Sequence, residues 1–455
     1  MHDTIEKAMA KSTTQFICQE CGMSHSKWAG RCSSCGAWNS LVESLPASRD
    51  GALAAVKGKK LEATSVGKIG KKQRSERLPT TVKDVDAVLG GGFVLGSVNL
   101  IAGQPGIGKS TLLMQLAALL SRQYSVLYVS GEESLEQVGM RSSRIAPNDK
   151  NVMLASSTNS DDIAQTILNG EHSVVVVDSI QTISCQNVSS APGSVSQITN
   201  STYLLTQAAK QTGTTLILVG HVTKEGSIAG PKLLEHLVDV VLNLEGDRYG
   251  GFKVLRAIKN RYGSTAEVGI FDMTEKGLLP VANPSAVLLA ERQIADGSVV
   301  LAAMEGTRPV LVEVQALVNK TSFGYAKRAA SGFDLNRLNL LTAVLARRTK
   351  LDLGEYDVYV NIVGGIKINE PAADLAVCMA IASAAKGMQL KDDAVVFGEV
   401  GLSGEVRHVP YIENRVKEAK QMGFTRVIGP RSDKKIASLQ SIRSVKEALN
   451  ENLKS

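Results

Sequence analysis

Residues 97–120 read SVNLIAGQPGIGKSTLLMQLAALL. Residues 98–102 are a largely apolar run of strand length, and Leu112, Leu113, Leu116, Leu119 and Leu120 recur at helical spacing after it. Between them, Gly103-Gln104-Pro105-Gly106-Ile107-Gly108-Lys109-Ser110 fits G-x-x-x-x-G-K-[ST], with Thr111 next. A strand, a glycine-rich loop and a helix in that order are the context in which this pattern binds phosphate. The glycines admit close approach of backbone N–H groups, and the helix N-terminus favours an anion. Residues Gly103 to Thr111 are therefore the expected ATP contacts. Lys109 is expected to reach the β- and γ-phosphates and Ser110 to ligate Mg2+.

Three further strands extend the reading outward. Ser125-Val-Leu-Tyr-Val129 runs into Ser130-Gly131-Glu132-Glu133-Ser134. A carboxylate at the carboxyl edge of a strand beside the phosphate loop is placed to orient an attacking water. Glu132 is the candidate catalytic glutamate and Glu133 its rival; alternatively, either acid only starts the next helix. Val174-Val-Val-Val177 is a continuous apolar run, as expected of a strand buried on both faces, and it ends in Asp178. Asp178 is the expected holder of Mg2+ through water. Thr215-Leu-Ile-Leu-Val219 ends at Gly220-His221, where His221 either senses the γ-phosphate or is a structural histidine. Strands alternating with helices predict a parallel sheet with helices on both faces and a ligand site at the carboxyl ends of the strands.

Upstream, Cys18-Gln-Glu-Cys21-Gly22 and Cys32-Ser-Ser-Cys35-Gly36 form two C-x-x-C knuckles. This spacing predicts Cys18, Cys21, Cys32 and Cys35 as four thiolates around one structural Zn2+, with no open position for catalysis. A redox dithiol pair is the competing reading. His25, between the knuckles, reads as an exposed loop histidine rather than an extra ligand, and Trp28 and Trp38 as a cap on a tiny core. Cys185 and Cys378 read as plain thiols.

The chain has 455 residues, 44% hydrophobic and 21% charged. That is enough for two or three cores and is not the composition of a disordered chain. No apolar run approaches the roughly 20 residues of a membrane span. The N-terminal MHDTIEKAMAKSTTQF has no signal core, so a cytoplasmic protein with no membrane partner is expected. Aromatic residues, at 4%, disfavour a protein built mainly from base-stacking platforms. The net charge of +7 is concentrated: residues 46–77 hold nine basic and three acidic side chains. Few large apolar residues accompany them, so this stretch reads as a flexible basic connector whose last part pairs as an edge strand of the next domain. The expected order is a four-cysteine zinc finger over 1–45, the connector over 46–77, the nucleotide-binding domain over 78–280 and a further domain over 285–455.

Lys259-Asn260-Arg261-Tyr262-Gly263 follows the nucleotide-binding core. It resembles the KNRFG signature of the bacterial RadA (Sms) DNA-repair family, with Tyr262 in place of phenylalanine. The knuckles and the phosphate loop match that family in the same order, so the resemblance spans essentially the whole chain. It implies an α/β fold: a RecA-like P-loop ATPase core with a parallel sheet flanked by helices, preceded by a small zinc ribbon and followed by a Lon-protease-like α+β domain. It also implies a homo-oligomer, a hexameric ring, that hydrolyses ATP, binds single-stranded and branched DNA, promotes branch migration and works with RecA recombinase. In such a ring Lys259 and Arg261 would reach the neighbour's γ-phosphate; the plainer reading is a strand-end cap or a surface ion pair. Residues 184–197 and 222–232, the latter with Lys224 and Lys232, are the DNA-facing loops that the resemblance implies.

From about residue 285 the pattern changes. Residues 299–303, 310–318 and 358–363 read as strands and 335–348 as an amphipathic helix. This order resembles the Lon protease domain. In that alignment the place of the nucleophilic serine falls on Ala372 and that of the catalytic lysine on Glu413. With neither a nucleophile nor an amine base, the domain is expected to be an assembly and DNA-contact platform using Lys327, Arg328, Arg347, Arg348, Arg407 and His408. Two other readings stand beside the motor. An ATP-dependent peptidase is disfavoured by Ala372 and Glu413, and the other is a nucleotide-controlled signalling ATPase similar to the circadian KaiC family.

Overall fold

The computed structural model describes residues 15–18, 23–38, 40–44, 65, 76–147, 151–221, 232–246, 251–322, 324–390 and 394–454. It divides into two compact units, Met1–Lys72 and Gln73–Ser455. In the first, β1 (Gln15–Cys18), β2 (Ser24–His25) and β3 (Leu41–Ser44) form an antiparallel sheet in the order β2-β1-β3. Among the described residues its buried core is Cys18, Cys32 and Leu41, with Phe16 packed against them. The apolar surface that these described residues bury does not hold a fold alone, which is the condition under which small domains rely on a metal. Cys21 and nearly all of the basic connector lie outside the described residues.

The second unit begins with β4 (Arg77–Leu78), which pairs antiparallel with β5 (Phe93–Val94). A nine-stranded sheet follows: β6 (Val98–Gly103), β7 (Val126–Ser130), β8 (Met153–Ser156), β9 (Val174–Asp178), β10 (Thr215–His221), β11 (Val240–Gly246), β12 (Lys253–Asn260), β13 (Val268–Thr274) and β14 (Gly277–Pro280). The spatial order is β14-β13-β12-β11-β6-β10-β9-β7-β8. The six strands from β11 to β8 are mutually parallel. Side chains alternate across it as strand geometry requires. Val174, Val176, Ile217 and Val219 join one apolar cluster with Leu112 and Leu116. Val175, Val177, Leu216 and Leu218 join another with Ile163, Ile167 and Leu205. One face is thus covered by α1 (Lys83–Leu89), α2 (Lys109–Leu120) and α3 (Leu135–Ile145), and the other by α4 (Ser160–Leu168) and α5 (Val195–Thr212). A short α6 (Lys232–Leu237) follows. At one edge the sheet departs from a purely parallel arrangement: β12, β13 and β14 are antiparallel. The connection between β11 and β12 is shorter than the dozen or more residues of a parallel crossover.

Beyond residue 284 lies a mixed seven-stranded sheet centred on the hairpin Ser298–Glu305 and Arg308–Lys320. The helix Asp374–Lys386 packs on this sheet and buries every side chain from Asp374 to Ser383. Ala372 is buried, and its carbonyl accepts the Gly398 N–H at 2.7 Å. Glu413 is exposed and pairs with Lys434 at 2.7 Å. Three of the six expected platform residues also make hydrogen bonds within the chain. Arg328 donates to the carbonyls of Lys327, Leu353 and Tyr356, Arg348 to that of Leu402, and Arg407 to the Glu405 carboxylate. Among the described residues no helix is long and apolar enough to cross a membrane.

Candidate functional site

Strand β6 delivers the chain to the phosphate loop and α2 carries it away. A Cβ at Gly103 would sit 2.6 Å from the Leu244 carbonyl oxygen of β11. Gly108 caps α2 with φ of 115°, a left-handed conformation that favours glycine. Gln104, Pro105 and Gly106 are exposed, whereas Ile107 is buried in the core. Ile107 therefore anchors the loop while its neighbours present backbone outward. Ser110 and Thr111 lie in the first turn of α2.

Lys109 is 4% exposed. Its Nζ donates to the carbonyls of Gly103 at 2.9 Å and Gln104 at 3.0 Å, and lies 3.0 Å from His221 Nδ1. Burial brings its pKa down to about 8, against the opposing pull of the Asp178 and Glu132 carboxylates. His221 Nε2 is 3.4 Å from Glu132 Oε1, and the Ser179 hydroxyl donates a close hydrogen bond to the same oxygen. Lys109, Glu132, Asp178 and His221 thus converge at the carboxyl ends of β6, β7, β9 and β10.

The two adjacent glutamates diverge. Glu133 forms a close ion pair with Arg141 of α3, and its backbone is clasped by the Ser130 hydroxyl, which accepts its N–H at 3.0 Å and donates to its carbonyl at 2.8 Å. Helix initiation falls instead to Ser134, whose side chain forms a capping box with Gln137. Glu132 is left facing Lys109 and His221.

Two residues of this site escape a reading of the sequence. Tyr128 looks like one more apolar member of β7, yet its hydroxyl donates to Asp178 Oδ2 at 2.5 Å. Burial, with the Asp178 carboxylate adding to it, raises the Tyr128 pKa well above the ordinary phenol value, so the group remains a donor. Gln181, three residues past Asp178, has no hydrogen-bond partner at either end of its amide among the described residues. A tyrosine in an aliphatic strand and a glutamine in a buried turn are the faint signals that mark them.

Lys259 and Arg261 lie elsewhere. Lys259 pairs with Val241 of β11, which pairs with Leu100 of β6, three residues before Gly103. Arg261 bonds to Asp239, whose N–H bonds to Val98 at the start of β6. At about 3.3 Å per residue, Arg261 is level with the edge of the sheet opposite its own phosphate loop. Lys259 donates to the Glu235 and Val238 carbonyls, the latter at 2.8 Å. Burial lowers the Lys259 pKa, and the neighbouring Arg261 adds to the effect. Arg261 stands 3.5 Å from Asp239, with its side chain 57% exposed. Burial raises the pKa of the Tyr262 hydroxyl, which phenylalanine lacks, and the nearby Asp239 carboxylate adds to the effect. Residues 222–231, including Lys224, lie outside the described residues. Residues 184–197 form a turn clamped by Gln197, which bonds to Cys185, Val188 and Ser190.

In the ribbon, the Sγ atoms of Cys18, Cys32 and Cys35 lie within 4.8 Å of one another. Cys18 and Cys35 are 3.6 Å apart, close to the roughly 3.8 Å edge of a tetrahedron with Zn–S bonds of about 2.3 Å. The Cys35 N–H lowers the Cys32 pKa to about 5 despite burial, with Ser34 N–H and His25 contributing. His25 is on β2 rather than in an exposed loop, with Nε2 at 3.4 Å from Cys32 Sγ. Trp28 and Trp38 do not cap the core; both face outward. Cys185 and Cys378 are buried thiols without disulfides.

An AAA domain model matches residues 72–227, a rubredoxin metal binding domain model matches 16–43, and a model of subunit ChlI of Mg-chelatase matches 341–433. The DNA repair protein RadA of Bacillus subtilis is 49% identical over 428 residues, spanning 93% of both chains. That of Halalkalibacterium halodurans is 47% identical over 432 residues, again 93% of each. That of Aquifex aeolicus is 45% identical over 424 residues, 93% of this chain and 95% of the relative. The chain belongs to the RadA family.

A RadA-family chain with this AAA domain is a DNA-repair ATPase. The Asp178 carboxylate and the Ser110 hydroxyl are the hard oxygen donors that suit Mg2+, and three converging thiols suit Zn2+. In the last domain the buried Ala372 offers no nucleophile, and Glu413 is exposed and paired with Lys434.

Proposed function

We propose that this ATPase is a motor that assembles as a ring, moves on single-stranded DNA and promotes branch migration of recombination intermediates beside RecA recombinase in the cytoplasm. The supporting observation is the position of Lys259 and Arg261 at the sheet edge opposite their own phosphate loop. Cations placed there serve a nucleotide only when a second copy presents its loop to them. A repeated head-to-tail contact of that kind makes a ring when its rotation closes and a filament when it does not; the RadA signature implies the ring, with six members.

In this reading the N–H groups of Gln104 and of residues 106–108 hold the phosphates, Pro105 having none to offer, and Lys109 exchanges the Gly103 and Gln104 carbonyls for the β- and γ-phosphates. Ser110 and Asp178 would hold Mg2+, whose charge offsets that of the phosphates when bound. Glu132 orients the attacking water, with Ser179 and His221 fixing its carboxylate. His221 touches both Glu132 and Lys109 and leads directly into 222–232. Loss of the γ-phosphate would therefore alter the partners of the residue that directly precedes the stretch proposed to meet DNA.

The test is ATP hydrolysis with and without single-stranded DNA across a salt titration. Stimulation by DNA, abolished by Lys109→Ala, is expected. Hydrolysis indifferent to DNA at every salt concentration sinks the motor reading, and DNA binding without translocation favours a signalling ATPase.

A further inference from the structure

Trp28 and Trp38 are the chain's two tryptophans, and they are 58% and 72% exposed on the ribbon. Their rings flank Gly30. A Cβ at that glycine would lie 3.9 Å from Trp28 Cη2 and 4.0 Å from Trp38 Cζ3. The Arg31 guanidinium stands 5.7 Å from the Trp38 ring centroid. It is pinned there by donating from Nε to the Gly36 carbonyl at 3.0 Å, and the Arg31 and Trp38 backbones are bridged. Trp38 is thus held in orientation, with a cation against one face. Residues 23–38 contain Lys27 and Arg31 and no carboxylate, and the connector that follows is strongly basic.

Indole faces left in water are unfavourable and mark a surface that meets something. Flat aromatic faces combined with positive charge and no acid select single-stranded nucleic acid. Its unpaired bases offer π-faces and its phosphates offer negative charge, whereas a duplex keeps its base faces inside the stack. We propose that Trp28 and Trp38 form a stacking site for unpaired bases of single-stranded DNA, with Arg31 and Lys27 on the adjoining phosphates. This deepens the motor reading and rests on it.

Because no other tryptophan exists in the chain, intrinsic tryptophan fluorescence of the full-length protein reports on this patch alone. The probe is an oligo(dT) strand, titrated while anisotropy of a fluorescein-labelled copy reports total binding. Quenching that saturates together with anisotropy is expected. Trp28→Ala and Trp38→Ala should each weaken binding roughly 5- to 150-fold, the equivalent of one stacked base, while Trp38→Phe retains most of the affinity. Zinc content equal to wild type shows that these variants keep the ribbon. DNA bound by anisotropy with unchanged emission overturns the stacking site and leaves the motor intact. Emission that responds to RecA recombinase and not to DNA assigns the patch to a protein interface and overturns it as well. If anisotropy never changes, the motor reading fails and the site fails with it.

Discussion

Tyr128 donates its hydroxyl to the Asp178 carboxylate across 2.5 Å, from the strand beside the one that carries the acid. Both residues are buried, and the phenol stays protonated, so the bond fixes which way the carboxylate oxygens point. Tyr128→Phe keeps the ring in the core and removes only this donor. A hydrogen bond to a charged group contributes about 1.5–3 kcal/mol, so the Mg2+ concentration at half-maximal binding of a fluorescent ATP analogue should rise about tenfold or more. Binding without Mg2+ should be nearly unchanged. An unmoved Mg2+ midpoint would leave Tyr128 as simple core packing.

What was legible from residue order was local. The loop Gly103–Ser110 and the strand ending at Asp178 are runs of five to eight neighbours whose chemistry and periodicity lie in one window. Tyr128 was not legible, because its partner is fifty residues away and the intervening chain forms β8, α3 and α4. The direction of β12–β14 was also hidden, since side-chain alternation is the same in parallel and antiparallel strands. The tryptophans misled for a related reason: hydrophobicity argues for burial, but a core made of Cys18, Cys32, Leu41 and Phe16 has no room for two indoles. Arg328 read as a surface cation because composition cannot reveal the carbonyls of Leu353 and Tyr356 around it.

The phosphate-loop lysine should cost the protein stability. Lys109 is an ammonium buried to 4% exposure, with its pKa drawn from 10.5 to about 8. Below pH 8 it is charged in both folded and unfolded chains, and the folded state bears the full burial penalty. Between pH 8 and 10.5 the folded lysine is neutral while the unfolded one still binds a proton, so the penalty fades as pH rises. Lys109→Met should therefore abolish hydrolysis and raise the thermal midpoint by about 2–6 °C. That gain should be full below pH 8 and vanish toward pH 10.5. A lower midpoint than wild type at pH 7 would mean that the Gly103 and Gln104 carbonyls need the ammonium more than burial penalises it.

In the Lon-like domain, a fully buried arginine forms an ion pair with Glu370, two residues before Ala372. Arg415, with no exposed surface, donates to both Glu370 oxygens at 3.1 and 2.6 Å and to Pro410 O at 3.2 Å, and lies 5.4 Å from the Phe397 ring centroid. Glu370 also accepts the Met304 N–H at 2.7 Å. Breaking such a pair from one side leaves an uncompensated charge, so Arg415→Ala should cost about 3–5 kcal/mol in urea unfolding of this domain. Ala372→Ser with Glu413→Lys should still form no adduct with a fluorophosphonate, because position 413 faces solvent beside Lys434. Labelling of that double variant would show a site able to recover its chemistry.

The trans role of Arg261 has a test that a structural role does not pass. Lys109→Ala disables the loop of its own subunit, and Arg261→Ala disables the site of the neighbour if the finger acts across the interface. Each variant alone should be inactive, and both should still bind DNA. In a one-to-one mixture, an Arg261→Ala subunit supplies an intact loop and a Lys109→Ala neighbour an intact arginine. About a quarter of interfaces then carry both, so hydrolysis should return to about a quarter of the wild-type rate once subunits have exchanged. A structural fault in either variant would be carried into the mixture and give no recovery. If Arg261 served only to pair with Asp239 at 3.5 Å inside its own chain, the mixture would remain as inactive as its components.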